Sequence, residues 1–151
     1  MSLPALKESP VSPINILLIE DNVGDVELTV AAFEELNIIH NFHNVRDGQE
    51  ALEFLHKEGT HAQAIRPDLI LLDLNLPKKN GWEILHNIKQ DSALKAIPVI
   101  VLTNSRDDKD VVMCYMLHAN CYIVKPLGFR EFVSAIQSIE NFWLHVAVRL
   151  P

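Results

Sequence analysis

The sequence predicts an α/β fold built on a parallel sheet. Short apolar segments alternate along the chain with segments whose apolar residues recur at helical spacing. Five such alternations favour a parallel sheet, because parallel strands need long crossover connections that are usually helices. The strand segments are apolar almost throughout, which indicates that right-handed crossovers place helices on both faces of the sheet.

The predicted strands are short, and four of the five lead into polar residues. They are the segments Ile14–Ile19, His40–Val45, 68–73, 97–103 and Cys121–Val124. The predicted helices are 25–36, 47–56, a third marked by Trp82, Leu85 and Ile88, 108–118, and a long last helix from about Phe129. Asp47 is the predicted N-cap of the second helix, since its carboxylate can accept a backbone N–H bond. The predicted inner face of the fourth helix consists of Val111, Val112, Tyr115 and Met116.

The composition is typical of one globular domain. Of 151 residues, 48% are apolar, which is enough for a sizeable core. The net charge is −7 and no run of Lys and Arg occurs, so direct nucleic-acid binding is disfavoured. No apolar run approaches the roughly 20 residues of a membrane span. Residues 1–13 resemble a flexible arm and not a signal peptide. We therefore expect a cytoplasmic protein whose single domain covers residues 14–151.

The cysteines and histidines do not predict a metal site. Cys114 and Cys121 have neither CxxC nor Cys/His spacing, so we expect reduced, buried thiols. His40 and His43 lie three residues apart in a predicted strand and must face opposite sides of the sheet. We expect all seven histidines to be structural or surface residues.

Polar residues follow four of the predicted strands. Glu20 and Asp21 follow the first strand, Asp73 and Thr103 close the third and fourth, and Lys125 follows the fifth. Parallel strands end at one edge of the sheet, and open α/β sheets bind ligands at that edge. We therefore expect three carboxylates, a hydroxyl and an ammonium group to meet there.

Such a group of side chains suits phosphoryl chemistry. Carboxylates this close cannot all stay ionised unaided, and a divalent cation would relieve their repulsion. Oxygen ligands suit Mg²⁺, which binds one or two carboxylates together with phosphate oxygens. A carboxylate can also attack phosphorus, and phosphoryl transfer depends mainly on positioning and charge neutralisation. These residues predict a Mg²⁺-dependent aspartyl-phosphate site.

The same residues resemble the receiver domain of two-component response regulators over roughly residues 14 to 140. The resemblance rests on Glu20-Asp21, Asp73, Pro77, Gly81, Thr103 and Lys125-Pro126, in receiver-like order and spacing. It implies a flavodoxin-like, doubly wound sheet of five parallel strands in the order 2-1-3-4-5. It also implies a stoichiometric phosphoacceptor that catalyses only its own phosphorylation and dephosphorylation, and not an enzyme.

The resemblance assigns an acceptor and a metal site. Asp73 would take a phosphoryl group from a phosphohistidine of a partner histidine kinase. Asp21, Asp73 and the backbone carbonyl of Asn75 would bind Mg²⁺ directly, and Glu20 would hold a metal-bound water.

The resemblance also assigns a phosphoryl-binding switch. Lys125 would bond the phosphoryl group, and the peptide between Lys125 and Pro126 would be cis, as occurs almost only before proline. Thr103 would move toward the phosphoryl group, and Tyr122 would pack inward as the aromatic switch residue. Asn104 stands where the family usually has a small residue. Because that position lies over the phosphoryl group, we expect slower self-dephosphorylation than in chemotaxis-type receivers.

A narrower resemblance concerns the C-terminal residues. Residues 139–144 and 150–151, with segments 57–66 and 73–81, are similar to cyanobacterial phytochrome response regulators, stand-alone receivers that serve phytochrome-type histidine kinases. We expect such a kinase partner and an output through protein interaction, with no attached output domain. The apolar C-terminal residues predict a homodimer through the fourth helix, fifth strand and last helix. The predicted partner surface includes Met113, Tyr122, Phe142 and Trp143.

Three other functions compete with this one. A dehalogenase-type phosphatase would need a second aspartate where Asn75 stands. A dinucleotide-binding domain would need a GxGxxG turn, but residues 20–24 are Glu-Asp-Asn-Val-Gly. A receiver-like module that binds partners without phosphorylation usually lacks the acceptor or the lysine. Asp73 and Lys125 are both present, which argues against this alternative without excluding it.

Overall fold

A five-stranded parallel sheet in the order β2-β1-β3-β4-β5 forms the centre of the molecule, as the resemblance predicts. The computed structural model describes residues 13–36, 40–78, 80–125 and 128–141. The strands are β1 (Ile14–Ile19), β2 (His40–Val45), β3 (Leu69–Leu72), β4 (Val99–Thr103) and β5 (Cys121–Val124). The helices are α1 (Val23–Glu35), α2 (Gly48–His56), α3 (Gly81–Gln90), α4 (Asp108–Met116) and α5 (Phe129–Ile139), with a short 3₁₀ turn at Gly59–His61.

Apolar side chains cover both faces of the sheet, as expected. On one face, Phe33 of α1 and Phe132 of α5 pack with Leu18 and its neighbours. On the other face, Phe54 of α2, Leu85 of α3 and the buried Cys114 of α4 belong to a second apolar core. Burial on two sides explains the nearly unbroken apolar runs of β1, β3 and β4. It also leaves the ends of the strands as the place for polar groups.

Side-chain caps mark the starts of four helices, α1 to α4. The Asn22 side chain accepts a hydrogen bond from the Asp25 N–H at 2.9 Å, so α1 starts at Val23, two residues earlier than predicted. Asp47 caps α2 by accepting the Glu50 N–H at 2.8 Å, as predicted. The earlier start of α1 brings its first turn directly behind the acidic pair at the end of β1.

The predicted inner face of α4 is wrong in part. Val112, Tyr115 and Met116 are exposed, and Val112 and Met116 keep 57% and 70% of their accessible surface. Cys114 is fully buried instead, and Leu117 packs partly against the same core. The helix has more apolar residues than its buried face can hold, so periodicity alone did not show which of them face inward.

Gly81 fixes the loop that follows β3. A Cβ atom at this position would lie 2.5 Å from the Cα of Leu74 and 2.7 Å from the carbonyl oxygen of Asp73. The Gly81 N–H also donates to the Leu74 carbonyl at 2.9 Å. The loop therefore folds back on the backbone beside Asp73, and any larger residue at position 81 would displace that backbone.

Several remaining predictions can be placed. His40 packs on Phe33 and His43 on Phe54, on opposite faces of the sheet as expected. Cys114 and Cys121 are free thiols.

Within the described ranges, no helix is long and apolar enough to cross a membrane. The predicted N-terminal arm up to residue 12, the residue Pro126 of the predicted cis peptide, and Phe142 and Trp143 lie outside the described residues.

Candidate functional site

Backbone hydrogen bonds carry the sheet one residue beyond its strands. The Glu20 N–H donates to the Val45 carbonyl at 3.0 Å, and the Asp73 N–H donates to the Ile19 carbonyl at 3.0 Å. The Lys125 N–H donates to the carbonyl of Thr103 at 2.8 Å. These bonds hold the acidic and basic residues in register at one edge of the sheet, where the sequence predicts them.

The Lys125 ammonium group lies at the centre of this edge. It bonds Glu20 Oε1, lies 2.9 Å from Asp25 Oδ2 and lies 3.2 Å from Asp73 Oδ2. Its side chain is only 6% exposed. A buried ammonium is stable only when anions or carbonyl groups satisfy it, so these three carboxylates fix its position.

Asp25 belongs to this site although the sequence analysis did not select it. Ligand oxygens of Glu20, Asp25 and Asp73 all lie within 4.8 Å of one another. A signal was available, because Asn22 followed three residues later by an acid is a pattern of helix N-termini. That pattern places Asp25 in a first turn beside the acidic pair. Carboxylate oxygens this close fit a hard divalent cation such as Mg²⁺, which usually binds one or two of them directly.

Asp73 is held as an ionised carboxylate. Burial would raise its pKa, but a hydrogen bond from Glu20, the charge of Lys125, the Asn75 N–H and the Thr103 hydroxyl together lower it. The Asn75 N–H donates to Asp73 Oδ1 at 3.2 Å. An ionised, oriented carboxylate is the form that a nucleophile needs.

The pKa of Glu20 shifts in the opposite direction. Burial, followed by the hydrogen bond and the charge of Asp73, raises its pKa to about 7 against the lowering effect of Lys125. Burial acts to lower the pKa of Lys125, but hydrogen bonds to Glu20 and Asp25 raise it above its usual value. Glu20 is therefore the carboxyl group of this cluster that takes up a proton most readily, while Lys125 stays charged and Asp73 stays ionised.

The other predicted site residues surround this cluster. Asp21 is half-buried, and its backbone carbonyl accepts a bond from Arg46 at 3.3 Å. Asn104 is exposed beside the buried Thr103. The direct metal-binding roles of Asp21 and of the Asn75 carbonyl stay predictions. The Asn44 side chain was not predicted, and it donates to the carbonyl of Glu20 at 3.2 Å.

A chain of hydrogen bonds links this edge to α4 and β5. The Ser105 N–H donates to Thr103 Oγ1 at 3.5 Å, and the Tyr122 hydroxyl donates to the Ser105 carbonyl at 2.9 Å. The Tyr122 N–H, on the edge strand β5, donates to the Tyr115 hydroxyl of α4 at 3.1 Å. Thr103 is therefore connected to the exposed face of α4 through Ser105 and Tyr122.

Comparison with known proteins agrees with this arrangement. The model of the response regulator receiver domain matches residues 16–137. The chain belongs to this receiver family. Response regulator Rcp1 of Synechocystis sp. is 45% identical over 139 residues, which cover 92% of this chain and 94% of Rcp1. Receiver domains are signalling domains. Membership of this family therefore agrees with the expectation that the chain is not a conventional enzyme.

Two solved structures extend the likeness. The phosphorylated cyanobacterial phytochrome response regulator RcpA is 45% identical and superposes with a TM-score of 0.88, covering 93% of this chain and all of RcpA. The Mn²⁺-bound form of Rcp1 is 43% identical, with a TM-score of 0.85 over 92% of this chain and all of that one. The receiver is thus related to phytochrome response regulators, and both resemblances drawn from the sequence are confirmed.

Glu20 should make the metal-free protein less stable as the pH rises. Its folded pKa of about 7 exceeds the ordinary value of 4.5, so the stability it contributes is present below the ordinary pKa and is lost toward pH 7. Without divalent ions, we expect the free energy of unfolding of the wild type to fall by about 2 kcal/mol relative to Glu20→Gln between about pH 5 and about pH 8. Urea unfolding followed by circular dichroism measures this difference.

The exposed Glu27 of α1 supplies a matched control. Glu27→Gln removes the same charge and should follow the wild type across this pH range. Parallel pH dependences of the wild type and Glu20→Gln would contradict the raised pKa.

Proposed function

We propose that this receiver accepts a phosphoryl group on Asp73 from a phosphohistidine of a partner histidine kinase, with Mg²⁺ bound at the same edge of the sheet. The observation that supports this proposal best is the contact of the buried Lys125 ammonium with Asp73 and Glu20. It combines an ionised nucleophile with a fixed positive charge, beside the Thr103 hydroxyl. Phosphoryl transfer needs these two features most.

The residues have distinct tasks in the transfer. A carboxylate oxygen of Asp73 attacks phosphorus, a P–O bond forms, and the P–N bond to the kinase histidine breaks with its electrons kept by the nitrogen. Lys125 and the Thr103 hydroxyl then bond phosphoryl oxygens. Glu20, Asp21, Asp73 and the carbonyl of Asn75 would hold Mg²⁺, which supplies positive charge against the phosphoryl oxygens.

The output would be a changed interaction surface. Thr103 moves toward the phosphoryl group in this proposal, which alters the Ser105 carbonyl that receives the Tyr122 hydroxyl. Tyr122 is bonded in turn to Tyr115 on the exposed face of α4. The hydrogen bonds thus offer a physical route from the acceptor to α4 and β5.

The kinase partner that we favour is a phytochrome-type histidine kinase, and we place the reaction in the cytoplasm. This choice follows from the similarity to the phytochrome response regulators RcpA and Rcp1. The domain would extend over residues 14–151 after a flexible arm.

We also propose a homodimer through α4, β5 and α5. The exposed apolar residues Val112, Met113, Tyr115 and Met116 form a patch on α4. Next to it, β5 is the edge strand among the described residues and pairs there with β4 alone. Apolar patches beside a sheet edge are typical of protein interfaces.

Phosphorylation is tested by intact mass. We expect wild-type protein incubated with Mg²⁺ and acetyl phosphate to gain one phosphoryl group, because the donor supplies phosphorus to an ionised Asp73. Asp73→Asn and a chelator-treated wild type should gain none. Failure of the wild type with several donors would instead favour the alternative function, a module that binds partners without phosphorylation.

Asn104 should lengthen the life of the phosphorylated state. Its amide lies beside Thr103, where it would restrict the attack of water on the aspartyl phosphate. We expect Asn104→Ala to lose the phosphoryl group several-fold faster, measured by intact mass after removal of the donor. An unchanged lifetime would remove this role, and Arg106→Ala, at an exposed position of the same loop, controls for loop disturbance.

The dimer is tested by light scattering at micromolar concentration. Val112→Glu with Met116→Glu should lower the mass toward that of a monomer, because burying two carboxylates in an interface is costly. Ile65→Glu changes an equally exposed apolar residue outside α4 and should have no effect. A monomeric wild type, or a dimer that the α4 changes leave intact, would argue against this interface.

A further inference from the structure

We propose that Asp25 is a positioning residue that holds the Lys125 ammonium group and so keeps it from competing with the divalent cation for Glu20 and Asp73. This inference rests on the proposed function, since it concerns the metal site of the same sheet edge. It gives a task to a carboxylate that lies outside the acidic pair at the end of β1 and outside the acceptor position.

The contact is direct and shorter than that to the acceptor. Asp25 Oδ2 lies 2.9 Å from Lys125 Nζ, whereas Asp73 Oδ2 lies 3.2 Å from it. The Asp25 side chain is 30% exposed, while those of Glu20 and Asp73 are almost fully buried. Asp25 therefore contacts the ammonium from the solvent side of the cluster.

Helix capping alone does not explain this orientation. The Asp25 N–H donates to the Asn22 side chain at 2.9 Å, and its carbonyl accepts from the Thr29 hydroxyl at 2.8 Å. Its backbone thus serves α1, and a negative charge in the first turn favours the helix dipole. A carboxylate pointing into solvent would interact with the helix dipole equally well. The Asp25 carboxylate instead points toward Lys125 at the end of β5.

The cluster contains more carboxylates than ammonium groups. Glu20, Asp25 and Asp73 share one ammonium group, so the cluster has excess negative charge. A divalent cation held by Glu20 and Asp73 would compete with Lys125 for both carboxyl groups. Asp25 remains as the anion that keeps the buried ammonium paired, which lowers the cost of displacing it from them.

Removal of Asp25 should therefore weaken metal binding through Lys125. Of the charged partners that the structure describes, Asp25→Asn leaves the ammonium Glu20 and Asp73, and Mg²⁺ must compete with it for both. We expect calorimetric titration of the unphosphorylated protein to show about five- to tenfold weaker Mg²⁺ binding. Asp25→Glu keeps the charge and can reach Lys125, so it should restore most of the affinity.

A double-mutant cycle separates this role from a simple charge effect. In a Lys125→Met background, Asp25→Asn can remove only the direct attraction between carboxylate and cation. We expect the loss of affinity to be at least about threefold larger with Lys125 than without it. Lys125→Gln is a second neutral background should Lys125→Met fail to fold, which circular dichroism shows.

The outcomes are distinct. Equal losses in the two backgrounds, or no loss in Asp25→Asn, would overturn the positioning role while leaving the metal site and the proposed function in place. A wild type that binds no divalent cation would overturn both proposals. Glu27→Gln removes one charge from an exposed position on the same helix and should change the affinity by less than about twofold.

Discussion

The buried Lys125 ammonium group is the interaction on which the functional edge depends. Three carboxylates whose oxygens lie within 4.8 Å of one another would repel strongly in a buried site, and the ammonium is the positive charge that brings them together. Burial acts to raise the pKa of Asp73, but a hydrogen bond from Glu20 and the charge of the ammonium lower it, whereas burial raises the pKa of Glu20, so that two neighbouring carboxyls differ in their affinity for a proton. Differences of this kind between paired carboxyls are common at functional sites.

The sheet makes this interaction possible. Its two faces are covered by helices, so polar groups can collect only beyond the strand ends, where backbone bonds still hold Glu20, Asp73 and Lys125 in register. Loop contacts complete the geometry. Asn44 bonds the carbonyl of Glu20, and the close approach of Gly81 fixes the backbone at Asp73. The rigid strands thus position the reactive groups, while the loops adjust them.

The edge is connected to a surface that is rich in exposed apolar side chains. Hydrogen bonds connect Thr103, Ser105 and Tyr122 in sequence. The Tyr122 N–H of the edge strand also donates to the hydroxyl of Tyr115 on α4. Small displacements at a charged site can shift the packing of such an element, because packed elements have few alternative arrangements. In this receiver, which is related to the phytochrome response regulators, specific hydrogen bonds thus connect Thr103, at the edge that holds Asp73, to the exposed apolar face of α4.

The sequence by itself determined the α/β class with a parallel sheet, the bounds of β1, β2 and β5, and the meeting of Glu20, Asp73, Thr103 and Lys125, because strand periodicity and parallel topology fix which residues lie at one edge. The order of the strands followed from the resemblance to receiver domains. Tertiary structure alone decided two other features. The buried face of α4 depends on how a short, mostly apolar helix rotates against its neighbours, so Val112 and Met116 are exposed although their spacing suggested burial. The role of Asp25 depends on the Asn22 cap, which starts α1 early, and on a lysine 100 residues away in the chain that reaches back to it. Local patterns carry no information about such a long-range pairing of charges.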